Sequence, residues 1–318
     1  MAFPESTSLN LRLEAITPAG PRIKMFRFAA TQGEALPPAT PGAHLDIEVA
    51  PGLVRQYSLV EIDPTGTCYT IAVLRQQQGR GGSMALHDQA KIGAIYKTSA
   101  PRNNFPLSAT PGESVLFGGG IGVTPLLPMY RALKARGETP HLFYWARTVE
   151  DFLYQEELAQ DPAVRLLVTT SPSVPRLADL IPQFPAGAHL YCCGPEAMLN
   201  AFTDATTGRP AALLHIERFA PTAPTTAEVN TPFTVVLRRS GRTLEIPANK
   251  SILEVCLDEG IDAEYSCEEG VCGACQVTVL EGEVAHRDSV APAAAHDREH
   301  TMTICCSRAA RSTLVLDL

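Results

Sequence analysis

Leu9, Leu11 and Leu13 alternate with Asn10, Arg12 and Glu14, the period-two signature of a strand with one face turned to a core. Short runs that are β-branched or alternating recur at residues 23–28, 44–49, 56–60, 68–74 and 94–98, with Pro- and Gly-containing turns between them. Six such strands with little helix predict a small antiparallel β-barrel. From Gly112 the pattern changes. Residues 115–117 form a short apolar strand, the loop GGGIGVTP follows at 118–125, and a helix runs to Arg136 and stops at Gly137, a residue suited to a left-handed cap. Strands at 142–145, 164–168 and 190–192 then alternate with helices at 152–159 and 196–203. That order builds a parallel sheet with helices on both faces.

Residues 220–230, APTAPTTAEVN, are rich in Pro, Thr and Ala and have no apolar period, so they read as a linker. Beyond them, strands at 233–237 and 242–246 form a hairpin around Ser240 and Gly241. Ser251 is placed to cap a short helix running to about Glu259. A cysteine-rich loop follows, and strands at 276–280 and 313–316 close a small α+β unit. The expected organisation is multidomain: an antiparallel barrel at 1–108, an α/β parallel-sheet domain at 109–222, a linker at 223–230 and an α+β domain of β-grasp type at 231–318.

Composition narrows the functional classes. The 318 residues carry a net charge of −8, which argues against a nucleic-acid partner. Residues 231–318 hold 14 acidic and 8 basic side chains, so most of the negative charge sits in the last unit. Six acids, Asp258, Glu259, Asp262, Glu264, Glu268 and Glu269, fall in a stretch with no basic residue that runs into the cysteine loop. No apolar run approaches the ~18 residues that span a membrane. Residues 1–10 show no signal-peptide pattern, so nine cysteines point to a reducing, cytoplasmic setting in which clustered thiols bind metal or carry redox chemistry.

The chemistry lies in five short motifs. Cys267, Cys272 and Cys275 sit in CEEGVCGAC, spaced C-x4-C-x2-C, and Cys305 follows after 29 intervening residues; this is the plant-type [2Fe–2S] spacing. Gly270 and Gly273 have no Cβ to stop the loop curling with its N–H groups inward. A structural zinc site is the alternative, but zinc sites usually show two short C-x2-C knuckles and only one is present. Cys306, next to Cys305, is a second candidate for the fourth ligand. Cys68 and Cys256 fall in strand and helix patterns and read as core. Arg55-Gln56-Tyr57-Ser58 opens a barrel strand: the Arg can fork a phosphate, the Tyr can lie on a flat ring and the Ser can donate to a ring nitrogen. Alone, this is also an ordinary strand. The loop Gly79-Arg80-Gly81-Gly82-Ser83 can cradle a phosphate, or can be a plain Gly-rich turn. Residues 118–125 and Cys193-Gly194-Pro195 both lie where strand meets helix, where a dinucleotide pyrophosphate can be received.

In this order, RQYS, GRGGS, GGGIGVTP, YCCGP, HIERF, CEEGVCGAC and ICCSRA, the motifs resemble the ferredoxin–NADP reductase superfamily, and within it the phthalate dioxygenase reductase family, over nearly the whole chain. PRNNFPL, EGEVAHRDSV and the terminal LVLDL add to the likeness. One departure is Cys306, where the family pattern has Val.

The resemblance implies an NAD(P)H-dependent flavin/iron–sulfur oxidoreductase using FMN, NADH and a [2Fe–2S] cluster. Arg55, Arg80 and the Gly81-Gly82-Ser83 loop would hold the FMN phosphate, and Tyr57 and Ser58 would meet the isoalloxazine. Gly120 and Thr124 would line the nucleotide site. Cys193 would sit beside the nicotinamide ring, with Glu217 and Phe219 near the flavin, so that Ser58, Cys193 and Glu217 form the catalytic set. Cys267, Cys272, Cys275 and Cys305 would hold the cluster. The implied partner is a Rieske-type terminal oxygenase acting on an aromatic acid. A cytochrome P450 acceptor and a non-enzymatic zinc protein are the rivals. Arg147 suits a 2′-phosphate, but Glu150 and Asp151 would repel one, which favours NADH.

Overall fold

A computed structural model describes residues 8–110, 112–220, 230–291 and 293–318. The chain divides into two units, Met1–Glu217 and Arg218–Leu318. The first begins with β1 (Ser8–Gly20), β2 (Ile23–Ala30), β3 (His44–Ala50), β4 (Leu53–Ile62), β5 (Cys68–Leu74), helix α1 (Gly82–Gln89) and β6 (Ile95–Ser99). The six strands close into an antiparallel barrel in the order β1-β2-β5-β4-β3-β6. Inward residues such as Leu11, Leu13, Phe26, Phe28, Leu45, Ile47 and Ile71 are almost fully buried, as period-two alternation requires. The helix α1 is absent from the sequence expectation, because its first residues belong to the glycine loop and its apolar pattern is weak.

The chain continues with β7 (Ser114–Gly119), a 3₁₀ turn at Gly120–Val123, α2 (Leu126–Ala135), β8 (His141–Ala146), α3 (Gln155–Leu158), β9 (Val164–Val168), α4 (Leu177–Leu180), β10 (His189–Cys193), α5 (Glu196–Ala205) and β11 (Leu214–Glu217). The five strands form a wholly parallel sheet ordered β11-β10-β7-β8-β9. Gly137 ends α2 at φ 78°, the left-handed cap its position suggests. The helix expected at 152–159 shrinks to α3. Tyr154 takes φ 54° to send its hydroxyl to Glu61 (2.7 Å) and its ring beneath Arg131, and that conformation stops a helix from starting earlier. The strand β11 and the short α4 are also additions to the sequence expectation. One apolar cluster joins Ile23, Val60 and Ala72 of the barrel wall to Leu126, Leu127, Met129 and Tyr144, so barrel and sheet share a core.

The second unit contains β12 (Phe233–Leu237), β13 (Arg242–Ile246), α6 (Ile252–Asp258), β14 (Gln276–Glu281), β15 (Val284–Ala285), α7 (Ala293–Glu299), β16 (Thr301–Thr303), β17 (Arg308–Ala309) and β18 (Thr313–Leu316). Its main sheet runs β13-β12-β18-β14-β16, with β12 and β18 parallel and the other pairs antiparallel, and α6 packs over it. This is the expected β-grasp arrangement. The linker expected at 223–230 lies, except for Asn230, outside the described residues. Among the described residues no helix is long and apolar enough to cross a membrane.

Ser251 caps α6 as expected: its hydroxyl accepts from the Glu254 N–H at 3.1 Å while the Glu254 carboxylate accepts from the Ser251 N–H at 2.7 Å. Ser251→Ala removes half of this reciprocal pair and should cost about 1 kcal/mol. Denaturant unfolding of the second unit, followed within the full chain, checks the loss.

Candidate functional site

Three groups of side chains stand out, two in the first unit and one in the second. On the barrel, β4 carries Arg55, Tyr57 and Ser58 opposite Ile47, Leu45 and His44 of β3. Arg55 donates to the carbonyls of Val54 (2.7 Å) and Arg80 (2.5 Å), tying the strand to the glycine loop. Gly81 is left-handed at φ 80° and precedes α1. A Cβ on Gly82 would lie 2.3 Å from Arg55 Cγ and 3.2 Å from the Tyr57 hydroxyl, so only glycine lets the helix start touch both side chains. Ser83 sits one residue into the helix, its hydroxyl accepting from the Gln76 N–H at 3.1 Å. The structure thus gathers Arg55, Tyr57, Arg80, Gly81 and Gly82 at one helix N-terminus, a fit for a phosphate with a ring attached.

Sequence reasoning passed over a buried polar group on the neighbouring strand. His44 faces Ser58 across the ladder, and Asp46 is ion-paired with Arg102. Burial and then the Arg102 charge push His44 down to about 3, so it is neutral. Its signal, alternation of His44, Asp46 and Glu48 with the apolar core residues, is what an exposed strand face also shows.

The second group sits at the carboxyl edge of the parallel sheet. Strand order reverses between β7 and β10, and such a switch point opens a crevice for a ligand. The loops leaving these two strands press together: a Cβ on Gly122 would lie 2.5 Å from the Cys193 carbonyl oxygen, and one on Gly119 2.6 Å from Met198 Sδ. Gly120, at φ 55°, has open space where its Cβ would be. Thr124 is buried and its hydroxyl donates to the Ile121 carbonyl at 2.9 Å, so it braces the turn. Gly118, Cys193 and Glu217 lie at one level across three adjacent strands, with the Cys193 sulfur 4.0 Å from Glu217 Oε2. Burial, and secondly Glu217, hold the Cys193 thiol well above its ordinary range, so it is a neutral SH and not a nucleophile. Burial pushes Glu217 up to about 8. Phe219 lies just past β11 and is 44% exposed.

In the second unit, Cys272, Cys275 and Cys305 are buried and Cys267 is half-buried. Gly270 and Gly273 both take φ 68°, and the loop turns its backbone toward the sulfurs: Glu269 N–H reaches Cys267 Sγ at 3.4 Å, and Cys267 and Ala274 N–H reach Cys272 Sγ at 3.5 and 3.4 Å. The Cys267 thiol is held low by the Cys272 hydrogen bond and, against burial, by backbone N–H groups. Cys305 hydrogen-bonds with both Cys275 and Cys306, and the Cys306 sulfur also packs against Gly270 and lies 3.4 Å from the Thr303 hydroxyl. A ring of thiols fed by inward N–H groups suits a negatively charged cluster. Within the acidic run beside it, Asp258 pairs with Lys250 at 2.6 Å and Glu259 with Arg242, both bases lying outside the run.

Barrel, switch-point crevice and thiol loop together define a flavin/iron–sulfur oxidoreductase that works with NAD(P)H. Comparison with known proteins agrees. Residues 235–310 match the 2Fe-2S iron-sulfur cluster binding domain, which decides against structural zinc. The chain is 39% identical to the phthalate 4,5-dioxygenase oxygenase reductase subunit of Pseudomonas putida, over 97% of its own length and 96% of the relative's. The solved phthalate dioxygenase reductase superposes with a TM-score of 0.72 at 37% identity, covering 99% of both chains. An intact type IV self-sufficient cytochrome P450 monooxygenase superposes with a TM-score of 0.90 at 33% identity, over 98% of this chain and 41% of that one. The chain belongs to the phthalate dioxygenase reductase family.

Glu217 supplies a test of the crevice. Its folded-state value, about 8, lies above the ordinary 4.5, so its protonated form favours folding and that contribution is lost as pH rises between the two values. Glu217→Gln cannot ionise. The melting temperature of the variant relative to wild type should therefore rise from pH 5 to pH 9, measured by thermal unfolding.

Proposed function

We propose that the chain is the reductase component of a cytoplasmic, multicomponent Rieske-type aromatic-ring oxygenase, drawing on NADH. In this reading residues 1–108 hold FMN, 109–222 hold the nicotinamide nucleotide and 231–318 hold the cluster. Full-length similarity to an oxygenase reductase subunit is the observation that carries it. A flavin together with a one-electron cluster supplies the conversion of a hydride into single electrons.

The chain's own residues bind, orient and insulate. Arg55, with Arg80, Gly81, Gly82 and Ser83, grips the FMN phosphate; Tyr57 and Ser58 face the isoalloxazine. Gly120 leaves room for the nicotinamide nucleotide, Thr124 fixes the turn below it, and Cys193 shapes the ring pocket as a neutral thiol. Glu217, protonated at neutral pH, can donate a hydrogen bond where a carboxylate could only accept, and Phe219 stands beside the flavin. Cys267, Cys272, Cys275 and Cys305 ligate the cluster. The acids Glu150 and Asp151, after β8, disfavour a 2′-phosphate and so NADPH.

A cytochrome P450 acceptor is the second reading, favoured by the superposition on a P450 that carries a similar module within its own chain. Reconstitution with a Rieske oxygenase and with a P450, measuring product per NADH, separates the two. The internal route has its own test. Cys272→Ser should abolish electron delivery to cytochrome c while NADH still reduces the flavin; undiminished delivery in the variant sinks the assignment.

The acidic run Asp258–Glu269, which has no basic residue of its own and leads into the cluster loop, suits a partner with a basic docking patch, where charge speeds encounter more than it tightens binding. Replacing Glu268 and Glu269 with Gln should slow oxygenase-dependent turnover at low ionic strength, and the deficit should shrink as salt rises. Reduction of a small artificial acceptor should be unchanged. A deficit equally large at high salt removes the docking role.

A further inference from the structure

Asp288 stands in the EGEVAHRDSV segment and in none of the cofactor motifs, yet its side chain is completely buried. Its Oδ1 accepts from the Val290 N–H at 3.0 Å and the Ala291 N–H at 3.4 Å, and faces His296 Nε2 at 2.9 Å. Its Oδ2 accepts from the Ser307 hydroxyl at 3.4 Å. Ser307 is itself buried two residues beyond Cys305, where its hydroxyl meets Thr303 Oγ1 at 3.2 Å and accepts from the Arg287 N–H at 3.2 Å. On its other side, Asp288 is the back wall of the three-cysteine loop. A Cβ on Gly270 would lie 3.0 Å from both Cα and Cβ of Asp288, and the next residue, Ser289, donates its N–H to the Gly270 carbonyl at 2.7 Å.

One buried carboxylate thus touches both parts of the ligand set: the loop with Cys267, Cys272 and Cys275, and the turn with Cys305. We infer that Asp288 is a positioning residue that clamps the Cys305 turn to the three-cysteine loop and so fixes the shape of the cluster site. The inference rests on the cluster reading above. His286, Asp288 and His296 also lie close enough together to suggest an ion site. Both ring nitrogens of His296 are already committed, however, to Asp288 and to Thr301 Oγ1 at 2.8 Å, so the trio is a hydrogen-bonded brace. Burial alone would raise the Asp288 carboxyl, but His296 and the two N–H groups outweigh it and hold it ionised. An ionised acceptor is the form that these donors need.

The test uses the full-length, cluster-loaded protein. Asp288→Asn keeps the volume and removes the charge. Asp297→Asn is the control, because Asp297 meets the neighbouring His286 from an exposed position. The readouts are iron and sulfide per chain, the electron paramagnetic resonance spectrum of the reduced cluster, and the rate of iron loss to a chelator. Asp288→Asn should show an altered spectrum and lose iron about tenfold faster, the effect of one charge-assisted hydrogen bond, while the control matches wild type. A wild-type spectrum and rate in folded Asp288→Asn, or equal acceleration in the control, overturns the inference. If Asp288→Asn does not fold, Ser307→Ala decides by the same readouts, since it deletes only the hydroxyl linking Asp288 to the cysteine turn. Wild-type protein without iron and sulfide would defeat the cluster reading instead.

Discussion

Each candidate site depends on a glycine whose backbone lies closer to a neighbouring segment than a Cβ would allow. At the sheet edge, the turn after β7 rests on the carbonyl of Cys193, with 2.5 Å where a Cβ would stand on Gly122. In the second unit the same 2.5 Å separates a would-be Cβ on Gly270 from the Cys306 sulfur. Any larger residue must move main chain or the half-buried Cys306 sulfur, and neither is the free end of a long flexible side chain. The approach matters because N–H groups are the donors best suited to anionic cofactors and sulfurs, and they must be presented without a Cβ in the way.

Much of the fold is legible in sequence because its strands obey a simple rule. Leu11 and Leu13 point inward and Arg12 outward, and the barrel strands start and stop within a few residues of their alternating runs. The failures have local causes. Residues 152–159 have helical composition, but the left-handed Tyr154 spends that segment on contacts to Glu61 and Arg131, which no local pattern announces. The edge strand β11 is four residues long and half-buried, too short for periodicity to register.

The site is legible to a different extent. Cysteine spacing carries the metal chemistry because the ligands are mostly local in sequence, and the two glycines in the loop reinforce it. Charge is less transparent: Asp258 and Glu259 read as an open acidic patch until folding brings Lys250 and Arg242 to them. Asp288 was invisible for a related reason. An aspartate in a polar stretch looks solvated, and only the tertiary structure shows it sealed between two segments that are 37 residues apart at Gly270 and Ser307.

Among the described residues, the apolar clusters respect the division at Glu217. Three draw only on residues before it and the fourth only on residues after it. A gene rearrangement that cuts the chain there severs no core, so each half can travel with its packing intact. A substitution that disturbs one interior is therefore absorbed by neighbours in the same half, and the two interiors can drift in sequence independently.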